Sequence, residues 1–164
     1  MTKENLTFRH CLVPGDAKTV RDITKSTGFF TAEEVNIAEE LATEHLTQGD
    51  MRSGYYFITA HIGNTIVAYS CYGPIPGSDY SYDLYWIVTH AEFRNLGYGK
   101  KLLQETERAA ILAGAQGLYA ETSSTRGYTP TRAFYEHNGY QKEAILKDFY
   151  RLGDDKVFYS KKLN

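Results

Sequence analysis

The chain has 164 residues and a mass of 18.6 kDa, the size of one domain on a scale of roughly 100–200 residues per domain. Hydrophobic residues make up 42% and charged residues 23%, a globular composition that excludes a disordered, collagenous or coiled-coil chain. Eighteen Lys and Arg against 20 Asp and Glu leave a net charge of −2, so no global field draws the chain to nucleic acid or an anionic membrane.

The start, Met1 to Asn5, is polar, and no apolar run approaches the ~18 residues of a membrane span. A cytoplasmic location with no membrane partner is expected. Cys11 and Cys71 read as buried or half-buried free thiols. The five histidines show no metal-ligand spacing, so no metal is expected. Leu6 to Leu12 reads as a first strand. Asp16 can cap a helix to about Thr27, with Val20, Ile23 and Thr24 inward and Gly28 as its stop. Thr31 and Glu34 form a capping box and open a helix carrying Val35, Ala38, Leu41, Ala42 and Leu46, which ends near Gly49. Tyr55 to Tyr72 is a hairpin turning at Gly63-Asn64. A Gly- and Pro-rich loop from Gly73 to Tyr82 leads into Leu84 to Val88, a nearly continuous apolar strand expected to be central and buried on both faces.

From Gly97 to Ala113 the pattern predicts a helix with Leu102, Leu103, Thr106, Ala110 and Ala113 inward. Gly117 to Glu121 is a strand. Thr129 as N-cap and Pro130 at the first helical position open a short helix to His137, stopped by Asn138-Gly139. A last hairpin spans Tyr140 to Leu163 and turns at Gly153-Asp154-Asp155. The order predicts one α/β domain over 1–164, a mixed sheet with helices on its faces.

The most informative stretch joins the apolar strand to the Gly97 helix. Gly97-Tyr98-Gly99 in the first helical turn lets the backbone approach a ligand and point several N–H groups at one spot. The positive end of the helix dipole favours an anion, usually phosphate, and Arg94 and Lys100 add charge. Two phosphate motifs fail: a dinucleotide fingerprint needs glycine at Leu102, and a Walker loop needs glycine at Arg94 and Ser or Thr at Lys101.

What survives, a strand–Arg-x-x-Gly-x-Gly–helix unit, resembles the pyrophosphate loop of the GNAT family of N-acetyltransferases. Phe134-Tyr135-Glu-His-Asn-Gly139-Tyr140 is similar to the Phe-Tyr-x-x-x-Gly-Phe signature that closes the family's acetyl-CoA cleft. Within the family the look is nearest to the ribosomal-protein alanine N-acetyltransferases, through Tyr119-Ala-Glu121, the Phe149-Tyr150 pair and the acidic Asp154-Asp155. The motifs cover about Leu84 to Leu163. The resemblance implies a single α/β (α+β) domain with a mixed, mostly antiparallel sheet of about seven strands and helices on both faces.

It also implies the site. Arg94, Asn95, Leu96, Gly97, Tyr98, Gly99 and Lys100 would hold the pyrophosphate of acetyl-CoA. The backbone of Val88 and Thr89, where the fourth strand splays from the fifth, would pair with the pantetheine arm. Tyr128 stands where the family often has an asparagine touching CoA. Tyr135 would be the general acid that protonates the departing thiolate, and Glu121 the base, direct or through water, that deprotonates the acceptor ammonium. Phe29, Phe30, Tyr80, Tyr82, Asp83 and Tyr150 fall on segments expected to border the acceptor, as do Asp79, Asp148, Asp154 and Asp155. Neither cysteine sits in a nucleophile arrangement, which favours direct attack over a covalent enzyme intermediate.

The expectation is therefore an acetyl-CoA-dependent N-acetyltransferase acting on an amine, in a small molecule or a peptide. A non-catalytic acyl-CoA-binding or regulatory module on the same scaffold is the alternative. Homodimerisation is compatible with the sequence, and a nucleic-acid partner is not expected.

Overall fold

The computed structural model describes residues 5–164. Strand β1 (Leu6–Arg9) precedes helices α1 (Asp16–Ser26) and α2 (Ala32–Ser53). The hairpin β2 (Tyr56–Ile62) and β3 (Thr65–Pro74) follows, then β4 (Ser81–Thr89), α3 (Tyr98–Leu112), β5 (Gly117–Ser123), α4 (Thr129–His137) and the hairpin β6 (Gln141–Arg151) and β7 (Asp154–Lys162). The seven strands form one sheet in the order β1-β2-β3-β4-β5-β7-β6. Only β4 and β5 pair in parallel, because α3 carries the chain back between them as a crossover.

Each sheet face buries one helix pair. Val20 and Ile23 of α1 and Ala38 and Ala42 of α2 pack with Phe57, Tyr69, Cys71 and Val88. Leu102, Leu103 and Ala110 of α3 and Tyr135 of α4 pack with Ile58, Val67, Leu118 and Tyr159 on the opposite face. The Thr31–Glu34 capping box is present, each side chain accepting the other residue's amide. Gly49 interrupts α2 with φ 77 and ψ 174, so the regular helix ends there as the sequence indicates. Among the described residues no helix is long and apolar enough to cross a membrane.

Several local expectations need correction. Strand β1 stops at Arg9 rather than Leu12. The N-cap of α1 is Gly15, and Asp16 is already helical; its carboxylate turns back to accept from Val13 N and pairs with Arg9. Thr129 is likewise not a cap, because a 3₁₀ turn at Arg126–Tyr128 runs straight into α4 and leaves Tyr128 in that position. Arg151 faces Asp154, so the last hairpin turns at Leu152-Gly153, with Gly153 at φ 81. Ala113 lies beyond α3 and is exposed. Cys71 is buried and its thiol is pushed well above the ordinary value by desolvation, whereas Cys11 is exposed.

Candidate active site

The site begins where two strands part. β4 and β5 pair at Ser81–Gly117, Tyr82–Leu118 and Asp83–Tyr119, and then stop, although β4 continues to Thr89 and β5 to Ser123. A bulge in β4 accompanies the separation. Cys71 and Tyr72 of β3 face Trp86 and Leu84, leaving Tyr85 without a partner. An extra residue flips the side-chain alternation and increases local twist. Leu84 therefore packs on the α3 side, while Trp86 and Val88 pack on the α1–α2 side. The strand is central and packs on both faces, Leu84 and Ile87 on one and Trp86 and Val88 on the other, with the bulged Tyr85 alone exposed in this run. Beyond Asp83, the β5-facing backbone edge of β4, including Val88 and Thr89, has no strand partner among the described residues.

Past β4, Ala91 N donates to Ser26 Oγ and Glu92 N to His90 Nδ1, which fixes the path of the loop. Arg94 is extended, and Asn95 (φ 60) and Gly97 (φ 82) are left-handed. Lys101 N makes the first helical bond, to Gly97 O; the amides of Tyr98, Gly99 and Lys100 precede it and have no carbonyl partner within α3. Arg94, Asn95, Leu96, Gly97 and Lys100 are exposed around them. The result is an accessible group of convergent N–H donors flanked by two cations, chemistry suited to phosphate.

The two glycines differ. Gly97 needs its left-handed backbone, and a Cβ there would meet open space. Gly99 has no such conformation. A Cβ on it would lie 3.5 Å from Thr89 Oγ1 and 3.7 Å from the Phe134 ring, both ordinary contacts. Neither backbone nor packing requires glycine at 99. Gly99 also marks where the end of β4, the start of α3 and the side of α4 meet.

Tyr135 is buried against Tyr159, its ring stacked at 5.5 Å, with Tyr140 at 5.4 Å. Desolvation holds its phenol well above the ordinary value, and its hydroxyl has no hydrogen-bond partner among the described residues. Arg132 pins α4 to the end of β5 by donating to Ser123 O and Thr125 O.

Glu121 follows the last β4–β5 pair and is ion-paired through Oε2 with Lys156 Nζ at 2.6 Å. Asp83 stands on the adjoining strand. Burial is the main cause that raises its carboxyl, Glu121 raises it further, and Lys156 opposes both. Tyr150 is raised by burial, then by Glu121, Asp154 and Glu34. Tyr128 is pushed up to about 12 by burial first, then by Glu34, Tyr150 and Asp154. Its ring lies 4.5 Å from Phe29, while Phe30 meets Trp86 at 5.2 Å. Tyr128 thus belongs to this aromatic and acidic wall, opposite in character to the phosphate-type loop.

The expected wall residues at the start of β4 lie elsewhere. Tyr80 O accepts from Gly117 N, and the Tyr82 hydroxyl donates to Ala113 O; both, with Asp79, sit at the far end of β4. Asp154 is buried and accepts from Ser123 Oγ. Asp148 and Asp155 are engaged with hairpin amides, Gly153 N and Asp148 N respectively. The residues that sequence reasoning missed are Tyr85, Glu34 and Lys156. None carries a local signal, since the first is a bulge set by β3, the second reads as a helix cap and the third as an ordinary strand lysine.

Residues 53–142 match the acetyltransferase (GNAT) domain family. A candidate GNAT acetyltransferase from Desulfovibrio desulfuricans is 44% identical, with a TM-score of 0.93 over 98% of this chain and 100% of that one. Two further structures share the fold. The ribosomal-protein-S18-alanine N-acetyltransferase of Escherichia coli has 15% identity and a TM-score of 0.73 over 98% and 95% of the two chains. A GNAT acetyltransferase from Elizabethkingia anophelis with acetyl-CoA bound has 16% identity and a TM-score of 0.69 over 98% and 100%. No curated protein matches the sequence. With more than half its length matched, and with a 44% identical relative covering nearly all of it, the chain belongs to the GNAT family of acetyltransferases.

Proposed function

We propose that this single-domain protein transfers acetyl from acetyl-CoA to a primary amine by direct attack in a ternary complex. The observation that carries the reading is Gly99, a position with no internal need for glycine, set between Thr89 and the Phe134 ring at the mouth of the strand opening. Pyrophosphate on the amides of Tyr98, Gly99 and Lys100, helped by Arg94 and the neighbouring Asn95, Leu96 and Gly97, directs the pantetheine arm along the free edge of β4 at Val88 and Thr89. That path leads to Tyr135 and Glu121.

The amine must arrive neutral. Glu121, directly or through water, takes the ammonium proton. The nitrogen then attacks the thioester carbonyl, the adduct releases its second N–H proton to solvent, the C–S bond breaks, and the thiolate takes a proton from the Tyr135 hydroxyl, which is reprotonated from solvent before the next turnover. A phenol held above its ordinary value stays protonated across the working pH range, so the donor form is always present. Glu34, Asp83 and Glu121, with the rings of Tyr85, Tyr128 and Tyr150, favour a cationic acceptor over a neutral alcohol or thiol. Tyr128 is better suited to this acceptor wall than to CoA.

A screen of amine classes with acetyl-CoA, read as released thiol, tests the proposal. Turnover on one or more cationic amines is expected. Tight acetyl-CoA binding with no turnover on any class favours the non-catalytic acyl-CoA-binding module, and preference for a neutral alcohol overturns the acceptor assignment.

A further inference from the structure

Lys156 is unusual for a lysine. Its side chain is only 14% exposed, against 42% for its partner Glu121. The ammonium lies over the Phe149 ring at 4.2 Å and the Phe158 ring at 5.2 Å. A lysine on the surface spends side-chain entropy to form each ion pair and gains little from it. Here the two rings and the strand already hold the ammonium, so the pair with Glu121 is formed in advance. The closest approach is to Oε2, and no other side chain among the described residues is hydrogen-bonded to the Glu121 carboxylate.

The surroundings explain why a cation belongs there. Glu121 is faced by Asp83 and Tyr85 from β4, Tyr150 from β6 and Lys156 from β7. Glu34 and Asp154 complete the acidic side through Tyr150. Without Lys156, Asp83 and Glu121 would be two neighbouring carboxylates with no counter-charge, and like charges that close resist being ionised together.

We propose that Lys156 is a positioning residue for the transfer reaction: its ion pair holds the Glu121 carboxylate in place to meet the acceptor's ammonium. The assignment rests on Glu121 being the base, as proposed above. It is the arrangement of a base oriented by a third group, and misplacing such a group by about 1 Å can cost ~10²-fold.

The test compares wild type, Lys156→Met, Lys156→Arg, Glu121→Gln and the double variant Glu121→Gln/Lys156→Met on the best amine from the screen, between about pH 6 and 9.5, a range reaching past the reference α-amine value. Methionine keeps the stem between the two rings. Lys156→Met should bind acetyl-CoA as wild type does and lose about 10- to 100-fold in kcat. The acid limb of its kcat/KM profile should move to higher pH. Lys156→Arg should recover most of the rate, and the double variant should be no slower than Glu121→Gln alone. A wild-type rate and unmoved limb in Lys156→Met overturn the inference while leaving the base reading intact. So does a double variant slowed by the product of the two single factors, since Lys156 would then act elsewhere. Full activity in Glu121→Gln overturns the base reading and this inference with it. If Lys156→Met does not fold, Lys156→Gln carries the same readouts.

Discussion

Gly97→Ala and Gly99→Ala separate a glycine needed by the fold from one needed by a ligand. At Gly97 the backbone has φ 82, and forcing a side chain into the left-handed region costs about 1–2 kcal/mol. At Gly99 the added methyl meets Thr89 Oγ1 at 3.5 Å and Phe134 at 3.7 Å, distances that need no adjustment. Removing a glycine where its conformation suits any residue stabilises by about 0.4–1 kcal/mol through the unfolded chain. Gly99→Ala should therefore leave the Tm unchanged or slightly raised. On the proposed cofactor reading, its methyl nevertheless stands where phosphate oxygens approach the amides. Losing one hydrogen bond to a charged group costs about 1.5–3 kcal/mol, about a 10- to 150-fold weaker Kd for acetyl-CoA. Titration calorimetry and thermal unfolding on both variants decide the matter. Wild-type affinity in Gly99→Ala would refute the loop assignment. So would a drop in its Tm as large as that of Gly97→Ala, because the loss would then be structural.

Glu121→Gln should show a deficit that shrinks as pH rises and the acceptor amine is already neutral, measured as kcat/KM from about pH 6 to 9.5; a flat, near-wild-type profile would make Glu121 structural. Tyr135→Phe should cost ~10²–10⁴-fold at every pH in that range, because burial keeps the phenol protonated throughout; full activity would remove it as the acid. A Cβ on Gly73 would collide with the Gly54 carbonyl oxygen, so Gly73→Ala should lower the Tm by pushing apart β3 and the end of α2, with an unchanged Tm as the refuting result. Burial raises the phenols of Tyr69, Tyr72, Tyr135 and Tyr140. A raised value favours the folded protein until the unfolded phenol ionises, so stability should hold up to about pH 10 and fall above it; a Tm flat to about pH 11.5 would contradict this.

The helices and hairpins were legible because their determinants are local. The Thr31–Glu34 capping box, the Gly63-Asn64 turn and the apolar stripe of α3 each lie within a few residues, and each appears where the pattern puts it. The misread ends share another cause. Asp16 and Thr129 have the right chemistry for N-caps, yet neighbouring structure claims them: Arg9 pairs with the first, and the turn from Arg126 carries the second into the helix. The turn at Leu152-Gly153 was displaced because Asp154, a good turn residue by composition, is buried under Ser123 as the first residue of β7.

The same distinction divides the site. Its phosphate-type end is one continuous stretch of backbone, Arg94 to Lys100, so a single chain of glycines and cations is enough to read it. The acceptor end proposed above is assembled from α1–α2 loop, α2, β4, β5, β6 and β7 residues, namely Phe29, Glu34, Asp83, Glu121, Tyr150 and Lys156. No spacing in the sequence connects these. Residues in the Gly73–Tyr82 stretch with equally suitable chemistry, Asp79 and Tyr80, sit at the far end of β4 because strand direction decides which mouth a loop borders. The bulge at Tyr85 shows the point most sharply. It sends Trp86 toward Phe30 and coincides with the end of β4–β5 pairing at Asp83, yet it exists only as a mismatch of count between β3 and β4. An isolated strand sequence contains no such count, so the feature that opens the cleft is a property of the pairing and becomes visible only when both strands are laid side by side.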